Sequence, residues 1–265
     1  MSATHHRTWQ QFHVGHINIT VQLDSTAENH SVERHQELAG VSRRLIDTMN
    51  AEHLPVTWAV SDPAHSAATS TIIKSSVEHE LAILGGTNWV GPTAGRTRFA
   101  RELVRRVMQA RCAGLTVTTF VPAVFGIDGQ IDLVVKQQIT ALAGIVDSVS
   151  HAKAEPRALH YQVWEVPVTA KLPLKPTWFG SGRRTLMRRI EQSASEAGTF
   201  HLLIDAAELA ADPRRDDVTI TWIMNRLATL RNRGLLQVET LRTTAARLSD
   251  VPTVSPQRSI LRGVA

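Results

Sequence analysis

One cysteine, one tyrosine and no long apolar run mark what this chain of 265 residues does without. Cys112 alone excludes an internal disulfide, so stability has to come from burial. No apolar stretch approaches the roughly 20 residues needed to span a bilayer, and the opening MSATHHRTWQQFHVGH lacks a signal-peptide core. These absences set the expectation of a cytoplasmic protein with no membrane span, in which the glycosylation sequons at Asn18 and Asn29 are chance matches. Proline and glycine are scattered as punctuation and form no linker, and no internal repeat or low-complexity segment stands out.

What is present is enough apolar material for one sizeable core. Hydrophobic residues make up 43% of the chain, and single α/β barrels are commonly about 200–250 residues long. Short β-type runs alternate with longer helical patterns throughout. INITVQL (17–23) alternates with period two, and 33–53 follows with Leu38, Val41, Leu45, Ile46 and Met49 on one face. Then come VTWAV (56–60), ELAIL (80–84), an arginine-rich helix, TVTTFV (116–121), a helix over about 132–143, GIVDSVS, and YQVWEVPV (161–168). A helix over about 183–197, the strand FHLLI (200–204), a long helix over about 218–232, a strand at 235–238 and a short helix to Leu248 complete the pattern. Strand–helix alternation predicts parallel strands with crossover helices, and a site at the carboxyl ends of the strands. The residues there are Asp24, Asn88, Pro122, Pro167 and Asp205.

The formal charge of +5 and a pI near 10.0 raise the question of an acidic partner. Arg96, Arg98, Arg101, Arg105, Arg106 and Arg111 share one predicted helix, with Phe99, Leu103, Val107 and Met108 between them at helical spacing. That spacing describes an amphipathic helix with a solvated basic face, and few aromatics interleave with it for base stacking. Nucleic acid is therefore the disfavoured partner, and an anion- or nucleic-acid-binding module acting through this helix stands as a second alternative function.

The segment order resembles the NodB-homology polysaccharide deacetylases, metal-dependent carbohydrate esterases on a distorted (β/α) barrel with fewer than eight strands. The resemblance covers roughly 15–249, with 1–14 an N-terminal segment and 250–265 a tail. LIDTMNAEHLPVTWAV (45–60) is similar to the family's first helix and second strand. The family's T-F-D-D-G motif falls on Gln22-Leu23-Asp24-Ser25-Thr26, which implies that Asp24 keeps the general-base position while Ser25 replaces a metal-binding carboxylate. His79-Glu80-Leu81-Ala82 matches the lead-in to the family's two metal-binding histidines, whose own positions fall on Leu84 and Asn88. Phe120-Val121-Pro122-Ala123 lacks the arginine of the Phe-Arg-x-Pro motif. Trp164-Glu165-Val166-Pro167-Val168 and the loop Pro176-Thr177-Trp178-Phe179-Gly180-Ser181-Gly182 match better. In Phe200-His201-Leu202-Leu203-Ile204-Asp205-Ala206, Asp205 stands where the family's acid histidine would be.

Leucine has no lone pair for a metal, and an asparagine amide is poorly suited to a zinc site. The resemblance therefore implies that the family's divalent metal is lost, leaving no cofactor, and that the barrel is a pseudoenzyme that binds a glycan or a protein partner. The alternative is a metal-independent hydrolase using Asp24, His201 and Asp205, since paired carboxylates can serve as acid and base. Each of the three also has a structural reading: Asp24 and Asp205 as caps or turn residues, His201 as a satisfied interior histidine. Asn88, Trp89 and Trp178 are the candidate substrate contacts, the tryptophans by stacking on a sugar ring. Gly180 to Thr185 resembles a phosphate loop only in part, and a turn entering a helix is its better reading.

Overall fold

The computed structural model describes residues 14–24, 32–91, 94–122, 127–144, 155–172, 182–211 and 213–250. The first half runs β1 (Gly15–Gln22), α1 (Val32–Ala51), β2 (Thr57–Val60), α2 (Thr69–Ile73), β3 (Glu80–Gly85), α3 (Arg96–Cys112), β4 (Thr119–Pro122), α4 (Ile131–Lys136) and β5 (Ala141–Ala143). The second half adds β6 (Arg157–Ala158), β7 (Trp164–Val166), β8 (Ala170–Leu172), α5 (Gly182–Ser195), β9 (Thr199–Asp205), α6 (Ala206–Ala211), α7 (Pro213–Asn232), β10 (Leu236–Glu239) and α8 (Leu241–Asp250).

The strands form one sheet in the order β6-β7-β5-β4-β3-β2-β1-β9-β8, with β10 paired to the amino half of β1. Every pairing is parallel except β6 with β7. Seven neighbouring parallel strands, β7 through β9 in that order, make the wall of a distorted (β/α) barrel. Its two edges meet where the Thr169 N–H donates to the His201 carbonyl at 2.8 Å and the His201 N–H donates to Thr169 Oγ1 at 3.1 Å.

Alternation along each strand sorts side chains into two cores. Ile17, Ile19 and Val21 of β1, Trp58 and Val60 of β2, and Leu202 and Ile204 of β9 face outward and are covered by α1, α5, α6 and α7. Trp89, Phe99, Leu103 and Phe120 form a second outer cluster under α3. The inward residues are smaller or polar: Ala59, Ala82, Leu84, Val121, Ala141, Ala143 and Val166 join Leu241 and Ala245 of α8, which plugs the amino end of the lumen. Gly144 shows how tight the wall is. Its N–H donates to the Val166 carbonyl at 2.8 Å, and a Cβ there would lie 2.7 Å from Pro167 Cα.

The helix expected over 132–143 ends early. α4 stops at Lys136, Gln138 turns the chain with φ 63°, and 141–143 become a wall strand. Alanine favours helix locally, but the narrow lumen needs small side chains at Ala141 and Ala143, and this packing overrides the propensity. The strand expected at GIVDSVS lies outside the described residues after Gly144.

A stability test arises at the end of α5. Ala197 has φ 54°, the left-handed conformation that ends helices and favours glycine, while the Gly198 N–H closes the turn on the Ser193 carbonyl at 2.8 Å. Ala197→Gly is expected to raise the urea midpoint, with a gain of about 0.5–1 kcal/mol. An unchanged or lowered midpoint would show that the alanine methyl packs usefully.

Candidate active site

The carboxyl ends of the strands bring Asp24, Ser61, Asn88, Pro122, Pro167 and Asp205 to one end of the barrel. Directly beneath them the lumen is filled by Leu84, Val121, Ala143 and Val166, none more than 2% exposed. The end of the barrel where chemistry is expected is therefore floored by hydrocarbon.

Asp24 follows β1, whose Leu23 N–H bonds the Ala59 carbonyl at 3.0 Å and keeps the chain in register with β2 past the last ladder pair. One Asp24 carboxylate oxygen, Oδ2, accepts the backbone N–H of Ser61. Burial raises its pKa above the usual carboxylate range, the Ser61 N–H pulls the other way, and the nearby charge of Asp62 adds to the rise. The Ser61 turn is itself clamped from α3: Arg106 Nε donates to the Ser61 carbonyl at 2.7 Å, while its guanidinium lies 4.6 Å from the centre of the Trp89 ring. Sequence reasoning missed this support, because nothing in the spacing of a basic helix shows which arginine turns inward.

Asp205 closes β9 level with Gln22, two residues short of Asp24. Its Oδ1 accepts the N–H groups of Ala207 and Glu208, both at 3.1 Å, an N-cap for α6. Its Oδ2 lies 3.1 Å from Lys171 Nζ, which also donates to Glu208 at 2.6 Å. Burial lowers the Lys171 pKa, but the two carboxylates outweigh it and leave the net shift upward. Lys171 is a second mouth residue that sequence reasoning missed, since β8 is only three residues long. Both oxygens of Asp205 thus have structural partners.

His201 lies inside the lumen and is fully buried. Its Nδ1 donates to the Val166 carbonyl at 3.0 Å and its Nε2 accepts from Thr20 Oγ1 at 2.9 Å, linking β9 to β7 across the seam and to β1. Burial lowers its pKa to about 4, so the ring is neutral and both nitrogens are engaged.

The expectation for Trp89 is corrected by its surroundings. The ring is 2% exposed, packs against Phe99 and Phe120 with centroids 5.6 and 5.7 Å away, and carries Arg106 on its face, so it has no surface to offer a sugar. It points into the outer core because Val90 and Trp89 fold back on a turn at Gly86. Asn88, on that same turn, is exposed at the mouth. Trp178 and Ser25 lie outside the described residues, as does the loop 173–181.

Among the described residues no ligand set for a divalent metal is assembled. Of the positions that the family resemblance assigns to ligands, Leu84 is enclosed hydrocarbon, and among the described residues no group of three or more His, Cys, Asp or Glu is placed to hold an ion. The basic helix is largely satisfied within the chain. Arg96 pairs with Asp132, Arg105 and Arg106 with Glu102, and Arg111 with Gln138 and the Gln137 carbonyl. Arg98 and Arg101 are left as its free charges among the described residues. No helix among the described residues is long and apolar enough to cross a membrane.

No family model and no curated protein matches the sequence. Solved structures do match the fold. A putative polysaccharide deacetylase from Mycobacterium smegmatis aligns with a TM-score of 0.67 at 13% identity, covering 91% of this chain and 92% of that one. Puue allantoinase aligns with a TM-score of 0.66 at 9% identity, covering 92% and 94%. A probable polysaccharide deacetylase from Pseudomonas aeruginosa PAO1 gives 0.60 at 9% identity, covering 89% and 91%. At such identities the likeness speaks for architecture alone. With the seven-strand wall, the seam at His201 and a mouth at the strand carboxyl ends, the chain has the fold of the polysaccharide deacetylases.

Proposed function

We propose that this barrel binds carbohydrate at its carboxyl mouth and has lost metal-dependent deacetylation. The observation that carries the reading is Leu84, fully buried among Val121, Ala143 and Val166 at the position where the family resemblance puts a metal-binding histidine. Deacetylation by that route needs a Lewis acid to polarise the amide and activate water. Asp24, Asn88, Lys171 and Asp205 remain at the mouth as polar groups able to hydrogen-bond sugar hydroxyls.

Purified protein is expected to carry no stoichiometric zinc and to leave N-acetyl chitooligosaccharides intact. It is expected to bind a member of a glycan panel by calorimetry, with Asp24→Ala weakening the complex about tenfold, or 1.4 kcal/mol. Zinc retained at one per chain, or acetate release, would overturn the loss; absence of binding across the panel would overturn the carbohydrate partner and favour a protein one.

One observation favours a second reading, a metal-independent hydrolase. Asp24 is half-buried and burial raises its pKa, which suits a proton-transfer group. That reading requires turnover that Asp24→Asn abolishes.

A further inference from the structure

The opposite, amino-terminal end of the barrel is plugged by α8, yet beside the plug lies a pocket of about 640 Å³ lined in part by His16, Glu155, Thr199, Gln237 and Arg247. Glu239, at the end of β10 and 3% exposed, sits behind this wall. Three side chains converge on its carboxylate. Thr244 Oγ1 donates to Oε2 at 2.9 Å, Arg247 Nε lies 3.1 and 3.2 Å from the two oxygens, and His16 Nδ1 is 3.1 Å from Oε1. Burial would raise the Glu239 pKa, but His16 and Arg247 more than offset it and leave the net shift downward.

With Nδ1 turned to the buried carboxylate, Nε2 is the ring nitrogen left for the pocket. Arg247 donates from Nε to Glu239, and its Nη2 lies 3.1 Å from Glu239 Oε2. Among the described residues neither His16 Nε2 nor Arg247 Nη1 has a partner, and both residues line the pocket. The wall therefore presents a guanidinium beside an imidazole, each held from behind by one buried carboxylate. Such preorganisation lowers the entropic cost of binding. The volume falls within the range of small-molecule sites, roughly 300–1,000 Å³.

We propose that this pocket is a binding site for a small hydroxy acid, its carboxylate or phosphate group on Arg247 and a hydroxyl hydrogen-bonded to His16 Nε2. The site is separate from the mouth and does not rest on the carbohydrate reading above.

The test is calorimetry on the full chain with D-glucuronate and glucose 6-phosphate, using acetate and D-glucose as controls that lack the hydroxyls or the charge. At least one of the two acids is expected to bind with a Kd of about 1 mM or tighter, and which one binds identifies the anionic group. Arg247→Gln is expected to weaken that binding at least about tenfold, and each control to bind at least about tenfold more weakly than the acid. Because Arg247→Gln also disturbs Glu239, the wild-type protein supplies an independent readout: the His16 Nε2 nitrogen shift should move on saturation with the acid and stay in place with acetate. Binding of neither acid, binding unchanged in a folded Arg247→Gln variant, acetate binding as tight as the acid, or a silent His16 would each overturn the proposal.

Discussion

Glu80→Ala is expected to lower stability by about 3–5 kcal/mol, whereas Glu80→Gln stays within about 1 kcal/mol of the wild type or exceeds it. The Glu80 side chain is wholly inside the barrel floor, 2% exposed, where it joins three strands and a helix. Thr57 Oγ1 donates to its Oε2 at 2.9 Å, the Arg242 N–H donates to the same oxygen at 3.0 Å, and Thr119 bonds Oε1. Alanine leaves two hydroxyls and a helix N-terminal N–H buried without this acceptor. Glutamine keeps the acceptor for Thr57 and Arg242 and can donate to Thr119.

Burial raises the Glu80 pKa, against the lowering pull of its hydrogen bonds. The folded-state value exceeds the unfolded one, so the stabilising contribution is complete below the unfolded pKa and is lost as pH rises through the folded pKa. Urea unfolding of wild type and Glu80→Gln should therefore show a gap in favour of glutamine that widens with rising pH. A gap that is constant with pH, or an alanine variant as stable as wild type, would contradict this account of the floor.

The second large effect is at the seam. His201→Ala is expected to cost about 3 kcal/mol, because it opens a cavity and leaves the Thr20 hydroxyl and Val166 carbonyl without their partner. The pH signature is opposite to that of Glu80. The folded ring has a pKa of about 4 and the unfolded one about 6.5, so between those values the unfolded chain holds more protons and stability falls as pH falls. The slope from one such group is about 1.4 kcal/mol per pH unit. His79, whose pKa burial also lowers to about 4, adds to it. His201→Ala should flatten the acid limb of the stability profile between pH 6.5 and 4 while leaving the part due to His79. An unflattened limb would mean that His201 does not titrate with unfolding.

The periodicity of the sequence located the strands that pack helices on their outer face, since Ile17, Ile19 and Val21 alternate with the inward Asn18 and Thr20. It failed at Ala141 to Ala143, where helix-favouring residues were conscripted by a narrow lumen, and at α2 and α6, which are too short to show a period. At the mouth the order of residues along the chain was readable, because each follows a strand. Their partners were not. The cap that Asp205 makes on α6 is local and stood among the sequence readings, whereas the hold of Asp24 on the Ser61 turn and the Arg106 guanidinium on the Trp89 ring join different elements, on which local spacing is silent.

The sheet order has a consequence for how the chain reaches this state. The first strand, β1, lies between β2 on one side and β9 on the other, with β10 against its amino half, so most of its neighbours come from the last 70 or so residues of the chain. Loop-closure entropy makes such distant pairings late and slow. During synthesis β1 to β4 can zip together while the edge of β1 that β9 will take waits open. The floor carboxylate of Glu80 has no helix N-terminus to bond until α8 leaves the ribosome. Folding of this barrel is thus gated by its carboxyl end, and a chain stopped before Leu241 would hold a wall without a keystone.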